Sequence, residues 1–385
     1  MREVYLDHAA TTPVDPRVLE EMLPFFSERF GNASSVHGPG RVAREAVDVA
    51  RERVAALIGA GPDEIVFTGG GTEADNFALL GCMAALSGRR EHLVTTAIEH
   101  HAVLESAHHL ERQGKRATLV PVDGCGRVAP EAIEEALCDD TALVSVMLAN
   151  NEVGALQPVR EIAAIARERG AVVHTDAVQA VGHIPVDVDQ LGIDMLSMSA
   201  HKTYGPKGAG ALYIRRGTRM HAIMHGGEQE HRRRAGTENV AGIVGMGRAC
   251  ELAGELMPAE AERLAALRDR LAAGIQETIS DAIYCGHPGE RLPNNAHFCF
   301  PGANGEALLI RLDGRGIYVS SGSACSSASL QPSHVLAAMG IELALAYTSV
   351  RFSLGRETAE KDIGYALAEL PRAVEQTRAA AKVEL

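Results

Sequence analysis

From residue 64 to residue 214 the chain alternates short apolar runs with amphipathic stretches, and this alternation restricts the fold more than any other property of the sequence. The apolar runs cover residues 64–67, 92–98, 141–148, 171–179, 194–198 and 210–214, and helical stretches follow at 77–86, 102–113 and 159–169. Alternating strands and helices of these lengths build an α/β fold with a mostly parallel sheet covered by helices on both faces. Such sheets bind ligands beyond the carboxyl ends of their strands. Thr72, His100, Asn151, Asp176, Gln179, Ser199, His201 and Lys202 all fall at those ends, and their convergence matters more than any one of them.

Lys202 makes the strongest single demand. The apolar run before it breaks at Ser199-Ala200-His201-Lys202 and enters a Gly/Pro-rich turn. A free lysine, with a pKa of about 10.4, is almost wholly protonated at neutral pH. Burial lowers that pKa and lets the amine form a Schiff base with a carbonyl cofactor. A strand-end lysine reaching for solvent is the plain alternative, and the neighbours decide between the two. Thr68-Gly69-Gly70-Gly71-Thr72-Glu73 is a strand-to-helix junction. Its converging backbone N–H groups and helix N-terminus suit a phosphate. No Gly-Lys-Ser/Thr follows, so it is not a Walker loop, and alone it fits a plain turn equally well.

The remaining candidates are weighed in the same way. His100 and His101 are adjacent and diverge in any regular element, which disfavours a shared metal and leaves a ring stacked in a pocket or a polar strand end. Arg351 sits in an alternating strand pattern, residues 349–355, and either grips a carboxylate through two parallel hydrogen bonds or makes an ordinary ion pair. Cys325 lies in a loop of small polar residues from Ser320 to Ser327, the accessible setting that a reactive thiol needs. Cys82, Cys250 and Cys299 fall in apolar elements instead, and Cys125 is a loop cysteine without comparable neighbours. Arg232-Arg233-Arg234 reads as surface or interface, with a phosphate contact through Thr237 as the functional alternative.

At 385 residues the chain is long enough for two or three domains and a large core. A formal charge of −13 argues against general nucleic-acid affinity. No apolar run approaches the roughly 20 residues that cross a bilayer, and the N-terminus lacks the apolar core of a signal peptide, so no membrane association and a cytoplasmic location are expected. Seven cysteines, without a CxxC pair, suggest neither a disulfide frame nor a zinc site. Residues 4–13 read as a strand fragment followed by a polar turn, Asp15 and Pro16 predict a helix over 17–26, and a loop follows at 30–40. Residues 41–58 read as a helix with Val42, Ala46, Val49, Val54 and Leu57 as its apolar set. Another helix runs from Val240 to about Leu271, kinked or broken near Pro258.

Taken together, Ser199-Ala-His-Lys202, Gly-Gly-Thr72-Glu, His-Thr-Asp176-Ala-Val-Gln179, Arg-Ala-Gly-Thr237-Glu-Asn and Ser-Ser-Gly-Ser-Ala-Cys325 resemble the cysteine desulfurases of the NifS/IscS type over nearly the whole chain. The resemblance implies the fold-type I architecture of pyridoxal-phosphate enzymes. A large domain over 14–255 would carry a mostly parallel seven-stranded sheet flanked by helices, and 1–13 with 256–385 would form a smaller α+β domain bearing the catalytic cysteine loop. It further implies a homodimer that converts L-cysteine to L-alanine, leaves a persulfide on Cys325 and delivers the sulfur to an acceptor protein, an iron–sulfur scaffold or a thiolation enzyme. On that basis Lys202 tethers pyridoxal 5'-phosphate and shuttles protons. Asp176 faces the ring nitrogen, His100 stacks on the ring and exchanges protons with the substrate thiol, and Gln179 touches the ring hydroxyl. Gly71, Thr72, Ser199 and His201 hold the phosphate with Thr237 of the second subunit. Asn151, beside the cofactor, and Arg351 hold the substrate carboxylate. No resident metal is implied, although a persulfide at Cys325 is a ligand for a transferred iron–sulfur cluster.

This chain departs from the usual pattern at Ala200, Ser326, Glu228, His231 and Arg232, and it ends at Leu385 without the longer tail that some members use to dock a scaffold. The departures at 228–232 bear on the dimer interface. The alternatives are an aminotransferase or selenocysteine lyase on the same cofactor, against which Cys325 in its serine-rich loop argues, and a persulfide carrier without catalysis, against which the set Lys202, Asp176 and His100 argues.

Overall fold

A computed structural model describes residues 2–322 and 332–381. In chain order β1 (Val4–Tyr5) is followed by α1 (Pro16–Met22), α2 (Pro24–Ser27), α3 (Gly38–Leu57), β2 (Ile65–Thr68), α4 (Gly71–Leu86), β3 (His92–Thr96), α5 (His101–Arg112) and β4 (Arg116–Val120). Then come α6 (Pro130–Ala136), β5 (Thr141–Ser145), α7 (Val159–Glu168), β6 (Val172–Asp176), α8 (Val188–Leu191), β7 (Met195–Ser199) and β8 (Gly210–Ile214). The C-terminal part adds α9 (Val240–Thr278), β9 (Ile283–Cys285), β10 (Asn295–Cys299), α10 (Gly305–Asp313), β11 (Ile317–Tyr318), α11 (His334–Ala338), α12 (Leu343–Ala346), β12 (Ser349–Ser353) and α13 (Glu360–Ala381).

The large sheet has the order β2-β8-β7-β6-β5-β3-β4 and is parallel except for β8, which runs against both of its neighbours. Apart from the edge strand β4, which is largely exposed, its strands are buried on both faces because successive side chains enter different cores. Val66, Leu143, Met195 and Leu212 pack with α4 and α5, whereas Ile65, Val144, Leu196 and Ala211 pack with α3, α7 and α9. This is the period of two that a strand imposes. The parallel strands therefore end along one edge, and the polar residues that follow them meet there.

A second core lies beneath the antiparallel sheet β12-β10-β9, where Phe298, Phe300 and Phe352 pack with Leu271, Leu308 and Leu370. The N-terminus is sewn into this part. β1 pairs with β11 in parallel, and Asp7 bridges to Ser353. The chain then crosses to the large sheet, where Thr12 N–H donates to the His201 carbonyl at 2.9 Å. That crossing lays residues 7–12 over the strand ends.

Three expectations from the sequence change. The predicted helix over 17–26 is two short helices, each opening on a proline at its first position. α3 begins at Gly38, within the expected loop, and buries Ala43, Val47, Ala50 and Val54 while Val42 and Val49 stand 42% and 40% exposed. The reason is close approach: a Cβ on Gly247 of α9 would lie 2.6 Å from Ala50 Cα, so the contact demands small residues rather than bulky ones. α9 runs through Pro258 as one continuous helix of 39 residues. No helix among the described residues is long and apolar enough to cross a membrane.

Candidate active site

The strand ends and the crossing segment enclose a cavity of about 310 Å³. Lys202 reaches it from the single 3-10 turn Ala200–Lys202 that follows β7. Its Nζ donates to the carbonyls of Ala9 and Ala10, each at 2.7 Å. Gln179 Nε2 donates to the same Ala9 carbonyl at 3.0 Å, and His201 Nδ1 lies 3.1 Å from Thr11 Oγ1. Ala9 and Ala10 are thus a wall of the cavity, a role that two alanines do not announce in the sequence. Asp176 closes β6 on the opposite side. It is 6% exposed and accepts from the Val178 N–H at 2.9 Å. Burial raises its pKa, against the Val178 bond and the Lys202 charge, which both favour the carboxylate.

The glycine turn opens the phosphate end. Gly70, the residue before α4, has φ of 151° and offers no side chain to cap the helix. A Cβ on Gly71 would come within 2.7 Å of Val178 Cγ2, so the backbone can pass this close only without one. Gly69 N–H is taken by Glu73 Oε2 at 2.7 Å. The hollow above the first turn is lined by Gly71, Thr72, Ser199 and His201, with Lys207 added, a cation that sequence reasoning passed over. Uncapped helical N–H groups, two hydroxyls and a cation are what a phosphate monoester needs. Thr237 is exposed and lines neither this hollow nor the cavity.

At the far end Arg351, on β12, is 2% exposed. It donates to the Asn151 carbonyl at 2.7 Å and pairs with Asp7 Oδ1 at 2.9 Å, while its Nε has no partner. A buried guanidinium N–H left open beside a cavity is a ready donor for an incoming carboxylate. His100 caps α5, its Nδ1 accepting from the Ala102 N–H at 3.1 Å. That bond assigns the remaining proton to Nε2. Burial and the Lys202 charge bring its pKa down to about 4, so the ring is neutral. His101 packs its ring against His334, centroids 4.7 Å apart, and both line the cavity with the buried Glu152. Cys325 lies outside the described residues. Of the site residues read from the sequence, Gly71, Thr72, His100, Asn151, Asp176, Gln179, Ser199, His201, Lys202 and Arg351 line this one cavity. Sequence reasoning gave no role to Asp7 or to the buried carboxyls of Asp75, Glu99 and Glu152, which nothing local marks.

Comparison with known proteins agrees with this geometry. The profile of the class-V aminotransferases matches residues 4–365. The cysteine desulfurase IscS of Dictyoglomus turgidum is 53% identical over 377 residues, covering 98% of this chain and 96% of that protein. A solved NifS-like protein superposes with a TM-score of 0.92 at 40% identity, over 97% of this chain and 100% of that one. A structure described as SspA in complex with cysteine gives a TM-score of 0.80 at 36% identity, over 91% of this chain and 98% of that one. The chain belongs to the class-V aminotransferase family, among the cysteine desulfurases of the NifS/IscS type.

Proposed function

We propose that this protein is a pyridoxal-phosphate-dependent cysteine desulfurase that takes sulfur from L-cysteine, releases L-alanine and passes the sulfur on from Cys325. The observation that carries the reading is that Lys202, Asp176, Gly71 and Thr72 of the uncapped turn, and the buried guanidinium of Arg351 all line one cavity. The residues fit the cofactor in chemistry and in room. Bound there, its ring supplies an electron sink that makes cleavage of the substrate's carbon–sulfur bond feasible.

The chain's own groups take the remaining roles. The α4 amides, Thr72, Ser199, His201 and Lys207 neutralise the phosphate. Asp176 presents a carboxylate to the ring nitrogen, and a hydrogen bond to a charged group contributes about 1.5–3 kcal/mol. Gln179 stands at the ring edge. Lys202 Nζ tethers the cofactor and afterwards moves protons from the position now fixed by the Ala9 and Ala10 carbonyls. Arg351 and Asn151 hold the substrate carboxylate, the carboxylate engaging the open Nε. His100, neutral and with its Nε2 protonated, presents a donor to the ring face or the substrate sulfur.

The chain acts as a homodimer in this reading. From Leu19 to Val36 it leaves Leu19, Leu23, Phe26, Phe30 and Val36 exposed, a concentration of apolar surface that a monomer rarely leaves open. Thr237, exposed and away from this chain's own cavity, would contact the phosphate held by the second subunit. The division into residues 14–255 and a smaller unit of 1–13 with 256–385 belongs to the same reading, as does a sulfur-acceptor protein, an iron–sulfur scaffold or a thiolation enzyme, in the cytoplasm.

The test is direct. Purified protein should show the visible absorption of a tethered cofactor, and Lys202→Ala should abolish that band. An unchanged band in the variant would refute the assignment of Lys202. Cys325→Ser should still perturb the band on adding L-cysteine yet release little alanine or sulfide, and normal turnover there would remove Cys325 from the reaction.

A further inference from the structure

The turn at 151–154, beyond β5, is held along its length by the C-terminal part of the chain. Its successive carbonyls are all taken. Arg351 Nη1 donates to the Asn151 carbonyl at 2.7 Å, and His297 Nδ1 and Asn295 Nδ2 donate to that of Glu152 at 3.0 and 3.2 Å. Arg291 Nη2 donates to the Val153 carbonyl at 3.0 Å, and the Leu292 N–H to that of Gly154 at 2.9 Å. The Glu152 N–H donates to Asn150 Oδ1 at 2.9 Å. Both backbone groups of Glu152 are therefore fixed, and with them the direction in which its side chain leaves. The roles above give that side chain no use, although it is 2% exposed and lines the cavity.

Its carboxyl is where the two ends of one stretch of chain meet. Cys325 lies between Gly322 and Ser333 in the sequence. Ser333 Oγ donates to Glu152 Oε2 and accepts from the Leu336 N–H at 3.1 Å. Capping α11 accounts for the Leu336 bond, but not for the second bond to a buried carboxyl on another element. Gly322 sits against the same carboxyl from the other side. A Cβ there would lie 2.9 Å from His297 Cε1 and 3.3 Å from Glu152 Oε2, and its φ is 89°, so the position demands glycine. The Gly322 carbonyl accepts from Arg351 Nη1 at 3.3 Å. Gly322 and His334, the neighbour of Ser333, both line the cavity beside Asn151 and Arg351.

We propose that Glu152 is a positioning residue for sulfur transfer: by binding Ser333 and seating Gly322, it fixes both ends of the stretch that carries Cys325 at the cavity wall where the substrate is held. The inference rests on the reading of Cys325 given above. In that reading the Cys325 thiolate bonds to the substrate sulfur while the carbon–sulfur bond breaks and its electron pair stays on the carbon side. The rate of such a step follows how often the thiolate stands close to the sulfur. Releasing one end of a short stretch spreads its middle over a larger volume and lowers that local concentration. The cofactor and the substrate carboxylate are held by other groups, so their binding is unaffected.

The experiment uses the full-length holoenzyme. It compares the wild type with Glu152→Ala, Glu152→Gln, Ser333→Ala, the double variant of Glu152→Ala with Ser333→Ala, and Cys325→Ser. The readouts are the cofactor's visible band, its change on titration with L-cysteine, and the single-turnover rate of alanine release, with thermal melts as folding controls. Glu152→Ala should leave the band and the titration as in the wild type and slow alanine release by about tenfold or more. Glu152→Gln keeps an oxygen for the Ser333 hydroxyl and should restore most of the rate. Ser333→Ala should slow release in the same way, and it carries the test if Glu152→Ala does not fold. The double variant should lose as much as either single one, because both remove the same bond. Wild-type release in Glu152→Ala or Ser333→Ala would overturn the proposal. So would a Glu152→Gln as slow as Glu152→Ala, a loss carried by the cysteine titration instead of the rate, or losses that multiply in the double variant. If Cys325→Ser releases alanine at the wild-type rate, the reading of Cys325 fails; if Cys325→Ser is inactive while the Glu152 and Ser333 variants match the wild type, this inference fails alone.

Discussion

Arg351 is the buried cation at one end of the site, and its partners explain why it is an arginine. Its fork spans Asp7, the Asn151 carbonyl and an open Nε, three directions that a single ammonium cannot serve. Arg351→Lys keeps the charge and loses the geometry. It should raise KM for L-cysteine by about tenfold or more while leaving the cofactor's absorption in place; steady-state kinetics beside a spectrum separates the two. Glu230 is a different case, structural rather than chemical. It forks onto Arg51 at 2.7 and 2.8 Å, accepts from the Phe67 N–H, and lies in a left-handed run with His231 and Arg232, φ of 47°, 56° and 65°. Non-glycine residues adopt that backbone only when the surroundings over-determine it. Glu230→Gln breaks a buried ion pair and should cost about 3–5 kcal/mol, visible as a lower denaturant midpoint. The departures at His231 and Arg232 read in the sequence thus sit in a turn held from below by Glu230.

At the scale of elements, α3 and α9 show how smallness directs packing. Gly247 approaches Ala50 so closely that any side chain there must push the helices apart. Gly247→Leu should destabilise the protein by about 1–3 kcal/mol, the usual cost of overfilling a packed interface, and a chemical melt would report it. An unchanged melt would mean that the two helices tolerate a wider spacing. α4 carries the opposite lesson. Its N-terminus is left uncapped because Gly70 has no side chain to offer, and those amides stay available for a ligand. Stability was not the quantity optimised at that junction.

At the scale of the whole molecule, buried histidines set the response to acid. His8, His100, His183, His201 and His297 are held down to about 4, and His174 to about 3, chiefly by burial. In the unfolded chain they titrate near 6.5. Between those values the unfolded state binds more protons, so stability present above pH 6.5 is lost as pH falls toward 4. Glu99, raised to about 8 by burial, acts in the other sense, weakening the fold as pH rises from about 4.5 to 8. Asp176, Asp75 and Glu152, also raised by burial, act with Glu99, and with six histidines against these four carboxyls the melting temperature should still drop from pH 6.5 to 4. A flat profile over that range would contradict the burial of these rings. Phe30→Glu tests the proposed homodimer: placed in the exposed apolar stretch, it should leave the protein monomeric in sedimentation where the wild type sediments as a dimer, and reduce cofactor retention with it.

The order of strands and helices, the edge at which polar residues meet, and the identity of most groups around the cavity are determined by the sequence alone. Each rests on local rules: the period of a strand, the glycines of a turn, the residue that follows a strand's carboxyl end. Other features arise only from tertiary structure. Asp7 and Arg351 pair across 344 positions, the Ala9 and Ala10 carbonyls become a cavity wall, and Val42 and Val49 face outward because a glycine presses on the neighbouring stripe. None of these has a local signature, because each depends on which distant backbone comes close enough to leave no room, or no second charge, for anything else.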